Sequence, residues 1–423
     1  MPESIHHTTL DNGLRVVAQR IPGVSGVGIA VHYRVGFRTE SRNRSGFAHL
    51  FEHMMFQGST NVPRGGHFAR IQAHGGLVNG HTFPDVTDYY QVVPTAALDE
   101  VLDLEADRMA GLAVTDDNLR TQRDVVKQEI RLQVDGRPYG GFPWTGLPAV
   151  LYRKWENAHN GYGELADLEA ATTDDCADFF DRHYAPGNAV LALCGDLSPE
   201  TALATARRAF SRVPHRPVPP VPDVSEPRAV TELRATCHDR LAPRPALAVG
   251  YRMPDAQTDL PAYAANVVLS HLLTSGATAR LRAALAPLDV RVDSSPGLFG
   301  PLMAKDPDTF VIVAHHPEGA ENKVLEVITA QAADIARKGC TEGEAERAVA
   351  TAVTSLYQNL DSLAYRVRFL ARGALLFNRP TIADDLAQSI SATTAHELAL
   401  AAETLATPAG RAVLHLRPRG DAA

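Results

Sequence analysis

Hydrophobic and polar positions follow two rhythms along this chain. The run Gly26-Val27-Gly28-Ile29-Ala30-Val31-His32-Tyr33 is short and almost wholly apolar, which predicts a strand. Val190–Cys194, Ala246–Tyr251 and Phe310–Ala314 read the same way. A helical rhythm appears elsewhere. Phe47 to Phe56 predicts an apolar helix stopped at Gly58, and Val125, Val126 and Ile130 predict an amphipathic helix over 122–130.

The order of these elements repeats. In the first half the strand Gly26–Tyr33 leads to the helix ending at Gly58-Ser59; in the second, Ala246–Tyr251 leads to Val267–Gly276. Each half then carries a later apolar strand before a Glu-containing helix start, at Glu200 and at Glu318 and Glu321. Such a repeat implies duplication, and an α+β fold of two homologous layers of strands and helices. Between them, Pro214-His215-Arg216-Pro217-Val218-Pro219-Pro220-Val221-Pro222-Asp223 holds too many prolines for a helix or central strand. It predicts an extended linker. The expected domains are 1–213, a linker 214–228, and 229–423 without a metal site of its own.

Composition narrows the class. The chain has 423 residues, 45% apolar and 21% charged, enough for large packed cores and against disorder. A net charge of −8 argues against a nucleic-acid partner. Cys176, Cys194, Cys237 and Cys340 stand far apart, with no Cys-x-x-Cys pair, and read as buried free thiols in a reducing cytosol. The start, Met1 to His7, has neither the basic stretch nor the apolar core of a signal peptide, and no Arg-rich presequence is seen. No run of 18 apolar residues predicts a membrane span.

The chemistry concentrates in His49-Leu50-Phe51-Glu52-His53. Residues three and four apart share a helix face, so both imidazoles and the Glu52 carboxylate converge. This donor set suits two zinc ligands plus a general base, in the inverted zincin order. A catalytic zinc needs a third protein ligand and an open position. Glu129, beside Ile130 on the second helix and near the Val125/Val126 side, is the best candidate, with an ordinary surface carboxylate left open by spacing alone. Other histidines carry less. His67, His74 and His81 recur every seven residues, but Gly75-Gly76 interrupts any helix; His271 stands alone; His315-His316 reads as loop. Neither a Gly-x-Ser-x-Gly elbow nor a phosphate-binding Gly-Lys-Ser/Thr loop is present.

The pentad, the Arg123-Asp124-Val125-Val126-Lys127-Gln128-Glu129 stretch, Gly75–Thr82 with Thr87–Tyr90, and Tyr184-Ala185-Pro186-Gly187-Asn188 together resemble the pitrilysin-like zinc peptidases. The likeness is to the branch of the mitochondrial processing peptidase and its bacterial relatives. It implies that His49, His53 and Glu129 bind one zinc and that Glu52 activates water. It implies an edge strand at Asn79 and Gly80 that holds the substrate backbone, Gly80 standing where the family usually has Ala. Gln122 stands where the family often has a second Glu. Ala286 and Asp293 occupy the places of a substrate-gripping Arg and Tyr. The resemblance also implies a clam-shell of two domains and a second subunit. The expected protein is thus a zinc endopeptidase for peptides or leader sequences, the metal-bearing half of a heterodimer with a homologous partner, a homodimer also being open. The competing expectation is a non-catalytic peptide-binding or scaffold subunit.

Overall fold

A computed structural model describes residues 4–418; the first three residues of the segment read above for a leader lie outside them. The described residues form two compact units. The first holds residues up to Gln128, Gly161–Pro222 and Gln358–Ala383; the second holds Glu129–Asn160, Asp223–Tyr357 and the chain from Asp384. The units are therefore not the contiguous halves expected from the sequence. Residues 129–160 pack with the second unit, and 358–383 return to the first.

The first unit is built on a six-stranded sheet of β1 (Ile5–Thr9), β2 (Arg15–Arg20), β3 (Gly26–Tyr33), β4 (Leu77–Thr82), β5 (Thr87–Pro94) and β6 (Ala189–Gly195), in the order β1-β2-β6-β3-β5-β4. β6 is buried at every position, which is why it reads as an unbroken apolar run rather than an alternating one. The second unit holds β7 (Leu233–Asp239), β8 (Ala246–Arg252), β9 (Arg291–Pro296), β10 (Thr309–His315) and β11 (Ala412–Pro418), in the order β7-β11-β8-β10-β9. The two topologies superimpose strand for strand from β2 onward. β2 runs parallel to β6 as β7 does to β11, and every other neighbouring pair among these is antiparallel. The duplication is a property of the fold, with β4 and β9 as equivalent edge strands.

Side-chain chemistry explains the interleaving. The helix Leu363–Leu376 packs on β3, β5 and β6. Its carbonyl end is held by Arg15, which donates to Ala374 O at 2.9 Å, and by Arg34, which donates to Leu375 O. Cations at a helix C-terminus complement its unsatisfied carbonyls and dipole. From the same helix, Arg368 donates to Asp88 Oδ2 at 2.8 and 3.1 Å, and Arg372 approaches at 3.4 Å. In the second unit, Leu147 and Leu151 are buried against Ala248, Val311 and Leu414.

Asp88 is wholly buried. Burial pushes its carboxyl upward, but Arg368, together with the His81 hydrogen bond, overrides this and holds it well below the usual carboxylate range. Asp88→Asn leaves buried Arg372 and partly buried Arg368 without their counter-charge and is expected to cost about 3–5 kcal/mol. In a thermal melt the first unit's transition should fall by roughly 10 °C; an unchanged melt would show the pair to be neutral. Because the folded value is depressed, this stabilisation is full above about pH 4 and fades as pH falls below it.

Residues 212–232 contain no helix or strand, and the units divide within them at Pro222/Asp223. The pentad helix spans Phe47–Met54 and ends four residues before Gly58, which lies beyond it at φ +110°. His315 closes β10 instead of lying in a loop, and the adjacent His316 is buried. Of the four cysteines, Cys176 and Cys194 are buried, while Cys237 and Cys340 are partly exposed.

Candidate metal centre

The pentad helix is fixed before its functional side chains begin. Gly46 precedes it at φ +84°, and a Cβ there would meet Tyr162 O at 2.6 Å, so only glycine fits. Glu40 caps the helix start, accepting from Gly46 N–H at 2.9 Å and Ala48 N–H at 2.8 Å. Ser45 bonds Asp167 through its amide (3.0 Å) and hydroxyl (2.8 Å), pinning the Tyr162 loop beside the helix. Tyr162 then meets His49 edge-on, ring centroids 5.5 Å apart.

Within this frame, His49 Nε2 and His53 Nε2 lie 3.3 Å apart with their rings nearly perpendicular. Two imidazole nitrogens on one tetrahedral zinc, each at about 2.0–2.1 Å, lie about 3.3–3.4 Å apart. The pair is already spaced for a shared ion. Glu129 completes the group: one ligand atom from each of His49, His53 and Glu129 lies within 4.8 Å of the others. Two neutral-capable nitrogens and one carboxylate oxygen are a donor set that fits zinc.

Glu129 comes from the last turn of the helix Asp116–Ile130. Asn118 ties that helix to Gln57 O (3.3 Å) after the pentad, and Arg123 and Lys127 hold it to Glu169 at 2.9 and 2.7 Å. Leu119, Gln122, Val126 and Ile130 are buried while Val125 is exposed. The inward face is therefore set by Val126 and Gln122, three and seven residues before Glu129, together with Ile130; of the Val125/Val126/Ile130 trio that the sequence suggests, only Val125 points away.

Glu52 is nearly enclosed. Burial pushes its carboxyl above the usual range, and the Thr82 hydroxyl, donating to Oε2 at 2.7 Å, pulls the other way. Asn79 and Gly80 lie on β4, the sheet edge, and the Gly80 amide is engaged by Asn79 Oδ1 at 2.9 Å. Gly80 packs against the base: a Cβ there would sit 3.3 Å from Glu52 Cγ. In the second unit, Ala286 lies on a short 3₁₀ turn and Asp293 on β9, paired with Arg282. His67 is buried against Glu105 at 3.1 Å, His74 pairs with Glu100, and His81 lies on β4, so the seven-residue spacing gathers no metal face. Thr82 was the residue given no role from sequence. Its signal was present, since positions two apart on a strand share a face and Gly80 already marked that face.

Two family descriptions match the chain: Insulinase (Peptidase family M16) over residues 15–137, and Peptidase M16 inactive domain over 170–352. The zinc protease PqqE of Helicobacter pylori is 26% identical over 360 residues, 84% of this chain and 80% of that protein. The mitochondrial-processing peptidase subunit beta of Saccharomyces cerevisiae is 26% identical over 212 residues, half of this chain and 46% of that one. The crystal structure of a protease from Helicobacter pylori covers 99% of this chain and all of its own, with a TM-score of 0.89 at 24% identity. No helix among the described residues is long and apolar enough to cross a membrane.

Proposed function

From the chain's membership of peptidase family M16, we propose that it is a zinc-dependent endopeptidase with His49, His53 and Glu129 as metal ligands and Glu52 as general base. The observation that carries this reading is the 3.3 Å spacing of the two imidazole nitrogens, with Glu129 in reach and a buried carboxylate on the same turn. Zinc held there would supply Lewis acidity and bring the pKa of water toward neutrality. Glu52 takes the proton from the attacking water and returns it to the leaving amine. Its raised basicity suits that task, since a base works best with a pKa near the operating pH. The peptide adds as a strand along the free side of β4, with Asn79 releasing the Gly80 amide to a substrate carbonyl. Gln122, buried about two helical turns before Glu129, supports the ligand without adding charge.

The substrate grip is incomplete, because Ala286 and Asp293 offer neither a guanidinium nor a phenol. The chain is accordingly the metal-bearing member of a pair, and a homologous subunit supplies the missing contacts. The half-length likeness to a processing-peptidase subunit supports that reading. The four free thiols fit a cytoplasmic setting. Internally quenched peptides incubated with the chain alone, and with a candidate partner, test the proposal. Positioning groups of this kind are worth about a hundredfold, so the partner should raise kcat/KM by about that factor. Full cleavage by the chain alone, with no gain on adding the partner, would reject the pairing. A protein that carries no zinc would instead be a peptide-binding subunit.

A further inference from the structure

We infer that Thr82 is a positioning residue for Glu52, a role that rests on the peptidase reading above. Its Oγ1 donates to Glu52 Oε2 at 2.7 Å and lies 3.4 Å from Ala48 O. Among the described residues no other hydrogen bond is made to the Glu52 carboxylate. One oxygen is thus held by the strand and the other is left to exchange a proton. Gly80, two residues earlier on the same β4 face, lies against the Glu52 stem, so the carboxylate is located by this strand at its tip and along its length. β4 is also the edge on which the peptide docks. The strand that aligns the scissile bond therefore carries the group that orients the base, and an error in one is not added to an error in the other.

The duplicated unit supplies a comparison. On β9, the equivalent of β4, Ser294 donates to Ser270 O at 3.1 Å and lies 2.8 Å from Thr274 Oγ1. A hydroxyl joining edge strand to helix is therefore part of both copies. In the copy whose helix bears no carboxylate it bonds the backbone; in the first unit it is turned onto Glu52. The test must separate stitching of strand to helix from orientation of the base.

Thr82→Val keeps the shape and removes the donor; Thr82→Ser keeps the donor. With the chain and its partner subunit on an internally quenched peptide cleaved by the wild type, Thr82→Val should lower kcat about 10- to 100-fold, the worth of one hydrogen bond to a charged group. KM, zinc content and melting temperature should stay at wild-type values, and Thr82→Ser should restore kcat. Thr82→Ala serves as the second donor-free variant if Val does not fold. Crystal structures of the zinc-loaded variants give a readout free of activity. Glu52 should occupy several rotamers in Thr82→Val and one in Thr82→Ser. The inference is overturned by an unchanged kcat, by a loss confined to KM, by Thr82→Ser as impaired as Thr82→Val, or by a single wild-type Glu52 rotamer in Thr82→Val. If the wild type cleaves nothing, the peptidase reading falls, while the rotamers still decide whether Thr82 holds Glu52.

Discussion

Replacing Glu52 with Gln is expected to abolish cleavage while leaving the zinc in place. Gln matches Glu in size and helix propensity, and its carbonyl oxygen can still accept the Thr82 hydroxyl found 2.7 Å from the carboxylate. What it loses is the ability to accept a proton. General-base catalysis is worth about 10²–10⁴-fold, and kcat should fall by that amount. Stability gives an independent check. Burial raises the Glu52 carboxyl, so its ionised form weakens the folded state at any pH above its unfolded value. The neutral variant should melt at or somewhat above the wild-type temperature, the usual trade between stability and activity. Cleavage at the wild-type rate by zinc-loaded Glu52→Gln would remove Glu52 from the mechanism.

The ligand variants should behave differently. His49→Ala, His53→Ala and Glu129→Ala each take one donor from the group of three found among the described residues. Loss of an outer-shell partner alone typically costs 10–100-fold in metal affinity, so loss of a direct ligand should cost more than about 100-fold. Zinc content should drop from one per chain toward none after dialysis, and cleavage with it. Glu129→Gln should fail in the same way, because a neutral amide is a poor zinc donor. The contrast is diagnostic: metal kept and activity lost at position 52, both lost at 49, 53 and 129. A Glu129→Ala variant that retained full zinc would show that Glu129 is not a ligand and return it to the surface-carboxylate reading.

Much of the first unit was legible because its information is local. β3 begins and ends where the apolar run Gly26–Tyr33 does, and the pentad fixes its own geometry through helical spacing. The edge position of Asn79 and Gly80 was read from family likeness and is seen in the sheet order. Less legible was what depends on distant packing. Nothing in the periodicity of Leu363–Leu376 says that this helix covers β3 and β6, since its anchors, Arg15 and Arg34, lie more than 300 residues away in sequence. The exchange of 129–160 is hidden for the same reason. Of the apolar neighbours from which the sequence predicts an inward Glu129, Val126 and Ile130 are buried and Val125 is exposed, while buried Gln122, a polar residue, also marks the face. Strand alternation places Thr82 on the face that Gly80 marks, but that its hydroxyl reaches Glu52 is known only once the helix is packed on the strand.

Zinc K-edge X-ray absorption of the purified wild-type chain tests the centre most directly. One zinc per chain is expected, in a shell of two imidazole nitrogens and oxygen donors only, at about 2.0–2.1 Å. A sulfur shell near about 2.3 Å, a single imidazole, or zinc far below one per chain would contradict a site built from His49, His53 and Glu129.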